Sequence, residues 1–262
     1  QGWHLLYQRQ YDIEQLKAER YPLKLGYSSS HTMAMAALPA QGDVLDISCG
    51  NGALGRLVAE QGRKVRVAES EPVRVPCGLT SVPMVDLNPA ALAERADAYD
   101  VILMLDIIEH LDQTTIFRLL DHIRETSRSR QPTVLITTGN TAFLLVRLQL
   151  LLGYFHYSKR GILDMTHRHL YTFRSLRKLL EQCGYTVEKV RGVPPPVPAA
   201  IGDNATSRLL MRLGGFLARL LPGLFAYQVF IQSRPMPALS QLLDSARHAS
   251  GELAPDHKPP LP

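Results

Sequence analysis

The stretch Val44 to Gly55, VLDISCGNGALG, limits the fold more than any other part of the chain. Val44, Leu45 and Ile47 form a short apolar run of the kind that suits a parallel strand covered on both faces. Ser48, Gly50 and Gly52 supply a tight turn behind it, and Ala53 to Glu60 reads as a helix. Strand, glycine turn and helix N-terminus together aim backbone N–H groups outward, where a ligand can come close.

From residue 41 to 139 the pattern alternates between strand and helix. Strands are predicted at Val44–Ile47, Lys64–Ala68, Pro83–Val85, Val101–Leu105 and Val134–Thr138. The clearest helix is Gln113 to Thr126, where Ile116, Leu119, Leu120 and Ile123 recur at i, i+3, i+4 and i+7. Such alternation predicts an α/β fold, a doubly wound and mostly parallel sheet with helices on both faces. Ligands in these sheets bind beyond the carboxyl ends of the strands, at the switch point of strand order. Farther on, Thr172 can cap a helix whose buried face is Leu176, Leu179, Leu180 and Cys183, with Gly184 ending it. Tyr185 to Val190 would be a sixth strand, and Phe225 to Ile231 an antiparallel edge strand that closes the sheet.

Acids fall at the predicted strand ends. Glu69 ends the second strand, Asp86 the third and Asp106 the fourth, while Asp46 lies inside the first. Glu69 stands at about the spacing past the glycines where an acid accepts both ribose hydroxyls of a nucleoside. Asp46, Asp86 and Asp106 do not belong to the dinucleotide fingerprint, and so many carboxylates would repel a pyrophosphate.

The stretches VLDISCGNGALG, VRVAE, VDL, LDIIEHL and VLITTGN, in this order over roughly residues 40 to 190, resemble the class I S-adenosylmethionine-dependent methyltransferases. The resemblance implies a Rossmann-like fold and S-adenosylmethionine as cofactor. It implies that Gly50 and Gly52 pass under the cofactor and that Asp46 lies near its methionine amino end. Glu69 would bind the ribose hydroxyls, Asp86 and Leu87 the adenine, and Asp106 and Ile107 would line the methionine side. A cationic sulfonium also explains why carboxylates are welcome there. The chain departs from the family at Ser48, a small residue where the first glycine usually stands. Pro72, Pro76, Gly78 and Pro83 also leave little room for the usual helix between Glu69 and Asp86.

A second block, Gly161 to Thr172, gathers Asp164, Thr166, His167 and His169. It resembles the segment after the sheet in a bacterial methyltransferase group often joined to glycosyltransferases. Methyl transfer to a hydroxyl requires loss of a proton, and histidine titrates in the right range. His167 is the first candidate for the base and His169 the second, with Asp164 as the carboxylate that orients one of them. The plainer alternative is that one histidine caps the following helix or bonds internally. Glu109 and His110, close to Asp106, read as lining the cleft or capping the helix after Asp112. Three ligands within five residues make a poor metal signal, and no metal is expected.

The expected organisation is a helical N-terminal cap over residues 1–40, a cofactor-binding core over 41–192, a helical insertion with the closing strand over 193–234, and a disordered tail over 235–262. The cap either covers a ligand cleft or braces the core. Pro194, Pro195, Pro196 and Pro198 make a stiff connector to the insertion. There Leu209, Leu210, Leu213, Phe216, Leu217 and Leu220 alternate with Arg208, Arg212 and Arg219. A helix packed on the sheet or over the cleft is the preferred interpretation, and a basic amphipathic helix on a membrane surface the sharper one.

Phe143 to Gly153 is too short and too charged to cross a bilayer. The net charge of +5 comes without a basic, aromatic-interleaved run, so no nucleic-acid partner is expected. Three scattered cysteines, Cys49, Cys77 and Cys183, suit a reducing, cytoplasmic setting. A chain that begins at Gln1 and has its first methionine at Met33 reads as a module of a longer protein. The expected partner is a small-molecule acceptor methylated on oxygen, such as a sugar or secondary metabolite. A nitrogen acceptor and a non-catalytic cofactor-binding module are the alternatives.

Overall fold

The computed structural model describes residues 23, 25–47, 53–69, 80–83, 96–197, 202, 204–239, 241–243 and 246, and for 68, 69 and 80–83 it describes the backbone alone. The elements are α1 (Ser30–Ala37), β1 (Asp43–Asp46), α2 (Ala53–Glu60), β2 (Lys64–Glu69), β3 (Thr80–Pro83), β4 (Val101–Leu105) and α3 (Gln113–Thr126). They continue with β5 (Thr133–Gly139), α4 (Leu144–Leu151), α5 (Phe173–Gln182), β6 (Tyr185–Val193), α6 (Ala205–Leu220), α7 (Pro222–Phe225) and β7 (Gln228–Pro235).

The strands form one sheet in the order β3-β2-β1-β4-β5-β7-β6. The first five are parallel, and β7 runs antiparallel to both its neighbours. The period-2 geometry of a strand sends successive side chains to opposite faces. Leu45, Ile102, Met104 and Ile136 therefore pack with Ile116, Leu119 and Leu120 of α3 and Leu176 and Leu180 of α5. Val44, Val101, Leu103 and Leu135 pack on the other face with Ala34 of α1 and Leu54 and Val58 of α2. Chain direction reverses its progress across the sheet between β1 and β4, which opens the crevice of a doubly wound fold at their carboxyl ends.

The helix boundaries follow their caps. Asp112 accepts from Thr115 N at 3.0 Å and starts α3. Thr172 and Ser175 form a reciprocal capping box on α5. Gly184, at φ +78°, ends α5 in the left-handed conformation that glycine adopts without strain. The Tyr185 hydroxyl then donates to Leu120 O at 2.7 Å and ties β6 to α3 inside the core.

Two expectations are corrected, and the insertion helix shows how it meets the sheet. The closing strand is interior and not an edge: β7 sits between β5 and β6 and buries Val229, Phe230 and Ile231. The edge goes to β6, whose Glu188, Lys189 and Arg191 are polar enough to face water there. The predicted third strand lies earlier, at Thr80–Pro83. Finally, α6 buries Ser207 and Ala218 but leaves Leu209, Leu210, Leu213, Phe216 and Leu220 exposed. It approaches β6 through small residues at its C-terminal end, where a Cβ on Gly192 would lie 2.9 Å from Ala218 O. No helix among the described residues is long and apolar enough to cross a membrane.

Candidate active site

The crevice is edged by carboxylates that the strands position. Asp46, almost wholly buried, is the last residue of β1 and pairs in register with Val67 of β2 and Leu103 of β4. Glu69 is the last residue of β2. Asp106 follows β4 directly and adopts φ +52°, the sole positive φ outside glycine among the described residues. This strain at a strand tip costs on the order of 1–3 kcal/mol and survives where the surroundings fix it. Here they do: Asp106 N donates to Thr137 O and Oγ1 at 3.0 and 3.1 Å, and the Thr137 hydroxyl donates back to Asp106 Oδ1 at 2.6 Å. Gln228 Nε2 reaches both carboxylate oxygens, at 2.9 and 2.8 Å. Ile107 is half-buried beside it. Ser48, Gly50, Gly52, Asp86 and Leu87 lie outside the described residues.

The turn after β4 carries Glu109 and His110, and the loop before α5 is pinned to it by backbone. Arg168 N and His169 N both donate to Glu109 O, at 2.7 and 3.1 Å. That clamp brings the His167 ring to 4.8 Å from the His110 ring, edge to face. His167 Nδ1 lies 2.9 Å from Ile162 O, and His110 Nδ1 lies 3.2 Å from Thr166 O. A carbonyl can only accept, so each Nδ1 is the N–H donor of its pair.

The His167 Nδ1 is held by the Ile162 backbone carbonyl, and the Asp164 carboxylate bonds locally. Asp164 is buried and accepts from Thr166 N at 2.9 Å and Thr166 Oγ1 at 2.8 Å, a local turn that short Asp side chains favour. His169 is half-buried, with its ring 6.3 Å from that of Tyr171.

Glu109 is the residue whose weight the sequence did not reveal. It is 3% exposed, and its Oε2 has no hydrogen-bond partner. Such an atom costs about 1–3 kcal/mol. Burial first, and the neighbouring charge of Asp106 second, push its carboxyl up to about 8. A separate cleft of about 1080 Å³ lies between Leu25–Ser28, β6 and α6, walled by Arg191, Arg208, Arg212 and Arg219. Among the described residues, Asp46, Asp106, His167 and His169 do not line it.

A family model described as a methyltransferase domain matches residues 18–190. No curated protein matches the chain. Among solved structures, a SAM-dependent methyltransferase from Archaeoglobus fulgidus is 18% identical with a TM-score of 0.52, covering 88% of this chain and 99% of that one. A SAM-dependent methyltransferase from Methanosarcina mazei is 14% identical with a TM-score of 0.52, covering 79% and 98%. The 1,6-didemethyltoxoflavin-N1-methyltransferase of Burkholderia thailandensis, solved with its substrate and S-adenosylhomocysteine, is 16% identical with a TM-score of 0.50, covering 79% and 76%. At these identities the likeness is one of fold.

Proposed function

The chain belongs to the methyltransferase-domain family and uses S-adenosylmethionine, and on that premise we propose that it methylates a hydroxyl oxygen of a small-molecule acceptor. The observation that carries this reading is the His167 ring, held at Nδ1 by Ile162 O and set 4.8 Å from the His110 ring on the turn that follows β4.

The donor set suits the cofactor. Asp46 and Asp106, with Glu69 one strand over, give the crevice a negative rim that favours a sulfonium cation and disfavours a pyrophosphate. Asp46 takes the methionine amino end, Glu69 the ribose hydroxyls, and Asp106 with Ile107 the methionine side. By the family resemblance, Gly50, Gly52 and Ser48 would pass beneath the cofactor, and Asp86 and Leu87 would meet the adenine. When bound, S-adenosylmethionine supplies a methyl carbon already activated by positive sulfur.

The protein's own share is placement and proton removal. Holding the acceptor oxygen close and in line supplies most of the acceleration. His167 Nε2 accepts the hydroxyl proton, the O–H bonding pair staying on oxygen, and Ile162 O stabilises the resulting imidazolium through Nδ1–H. His169 stands next on the same loop as the second base.

The test is methyl transfer to a panel of hydroxylated and aminated small molecules by the wild type, His167→Ala, His169→Ala and the double variant, with cofactor affinity followed separately. Turnover on hydroxyl acceptors that drops while cofactor binding holds supports the proposal. Full turnover in the double variant refutes the histidine base and points to a neutral amine, which needs less help from one.

A further inference from the structure

We propose that Glu109, His110 and His167 bind a divalent transition-metal ion of the zinc or manganese kind. The inference goes beyond the hydroxyl-methylation reading, because binding of the ion requires neither cofactor nor acceptor.

One carboxylate oxygen and one nitrogen from each ring lie within 4.8 Å of one another. With Nδ1 donating to the Ile162 and Thr166 carbonyls, Nε2 is the ligating nitrogen of each neutral imidazole. A carbonyl behind each ligating imidazole is the usual outer support of a metal site, since it fixes the tautomer and the ring plane. The third group is the buried Glu109 carboxylate, with Oε2 unpartnered. An ion at this point would meet two imidazoles and one carboxylate, and it would supply the partner that the buried Glu109 Oε2 lacks.

The donor set also selects the ion. Two imidazoles and one carboxylate favour zinc, manganese and similar metals over magnesium or calcium, which prefer all-oxygen shells. Bonds of roughly 2.1 Å put tetrahedral ligands about 3.4 Å apart, so the side chains draw in by about 1.4 Å at most. The histidines are half-buried, which gives them room to move. Three protein ligands leave a position for water or an acceptor oxygen. Nε2 of His167 cannot ligate and take a proton at once, so an ion held there would pass the base role to His169 or to solvent, with the O–H bonding pair staying on oxygen.

In the sequence Glu109 and His110 carry little weight as ligands, because no Cys or His at metal spacing completes the set. The third ligand arrives from the loop before α5, through the backbone clamp on Glu109 O.

The experiment is a calorimetric titration of the chelator-dialysed full chain with cobalt(II) chloride, without cofactor, together with the visible spectrum of the product. One saturable ion per chain with ligand-field bands is expected. Glu109→Gln and His167→Ala should each weaken it about 100-fold, while His156→Ala, at an exposed histidine, should not. Circular dichroism of each variant keeps loss of fold apart from loss of the ion. No saturable binding at millimolar cobalt, or binding unchanged in both Glu109→Gln and His167→Ala, overturns the site. A parallel titration with S-adenosylhomocysteine separates the two claims: a chain that binds the nucleoside but no cobalt refutes the metal site alone.

Discussion

Gln228, the first residue of β7, holds both carboxylate oxygens of Asp106 through its Nε2, at 2.9 and 2.8 Å. A strand from late in the chain therefore braces the acid at the tip of β4, and it can do so because β7 is interior, next to β5. Hydrogen bonds to a charged group contribute about 1.5–3 kcal/mol. Gln228→Ala should therefore lower the affinity for S-adenosylhomocysteine by roughly tenfold or more, read by calorimetry. Gln228→Glu should lower it further, since it sets two carboxylates face to face.

Loss of either loop histidine should be read in turnover more than in acceptor KM. General-base removal costs about 10²- to 10⁴-fold, so His167→Ala should drop kcat within that range on a hydroxyl acceptor. His169→Ala should act in the same direction and more weakly.

Tyr185→Phe should destabilise the chain by about 1–1.5 kcal/mol in urea unfolding, because it removes a buried hydrogen bond between β6 and α3. Leu120→Ala, in the centre of the core, should cost about 2–5 kcal/mol. Leu151→Ser, on the exposed face of α4, should stay within about 0.5 kcal/mol of wild type.

Burial, and then the charge of Asp121, hold the Cys183 thiol above its ordinary range. Less thiolate is present at a given pH than in the unfolded chain, and the thiolate is the reactive form. In a Cys49→Ser, Cys77→Ser background, Cys183 should alkylate more slowly than free cysteine at pH 8 and reach the free rate in urea. Raising the pH should accelerate it.

What was legible in the sequence follows from which interactions side-chain type records. The α3 helix could be read because Ile116, Leu119, Leu120 and Ile123 share one face and Asp112 with Thr115 marks its start. The order of β6 and β7 could not be read from alternation alone, since pairing partners are set by tertiary contact. The contrast between Glu188, Lys189 and Arg191 and the run Val229, Phe230, Ile231 was the available signal. The His110–His167 contact left no trace, because it depends on amides of Arg168 and His169 meeting Glu109 O. Backbone hydrogen bonds of that kind carry no residue signature. The bonds of Asp164 to Thr166 are of the local kind that an Asp two residues before a Thr favours, and the spacing alone does not reveal them.

The central claim is that acids at the tips of β1, β2 and β4 together hold a sulfur nucleoside. Calorimetric titration of S-adenosylhomocysteine into the wild type and into Glu69→Ala tests it most directly. Saturable one-to-one binding, weakened about 100-fold by a substitution worth roughly 2.7 kcal/mol at 1.36 kcal/mol per tenfold change, is the predicted result. No heat at millimolar nucleoside, or the same affinity in Glu69→Ala, would contradict it.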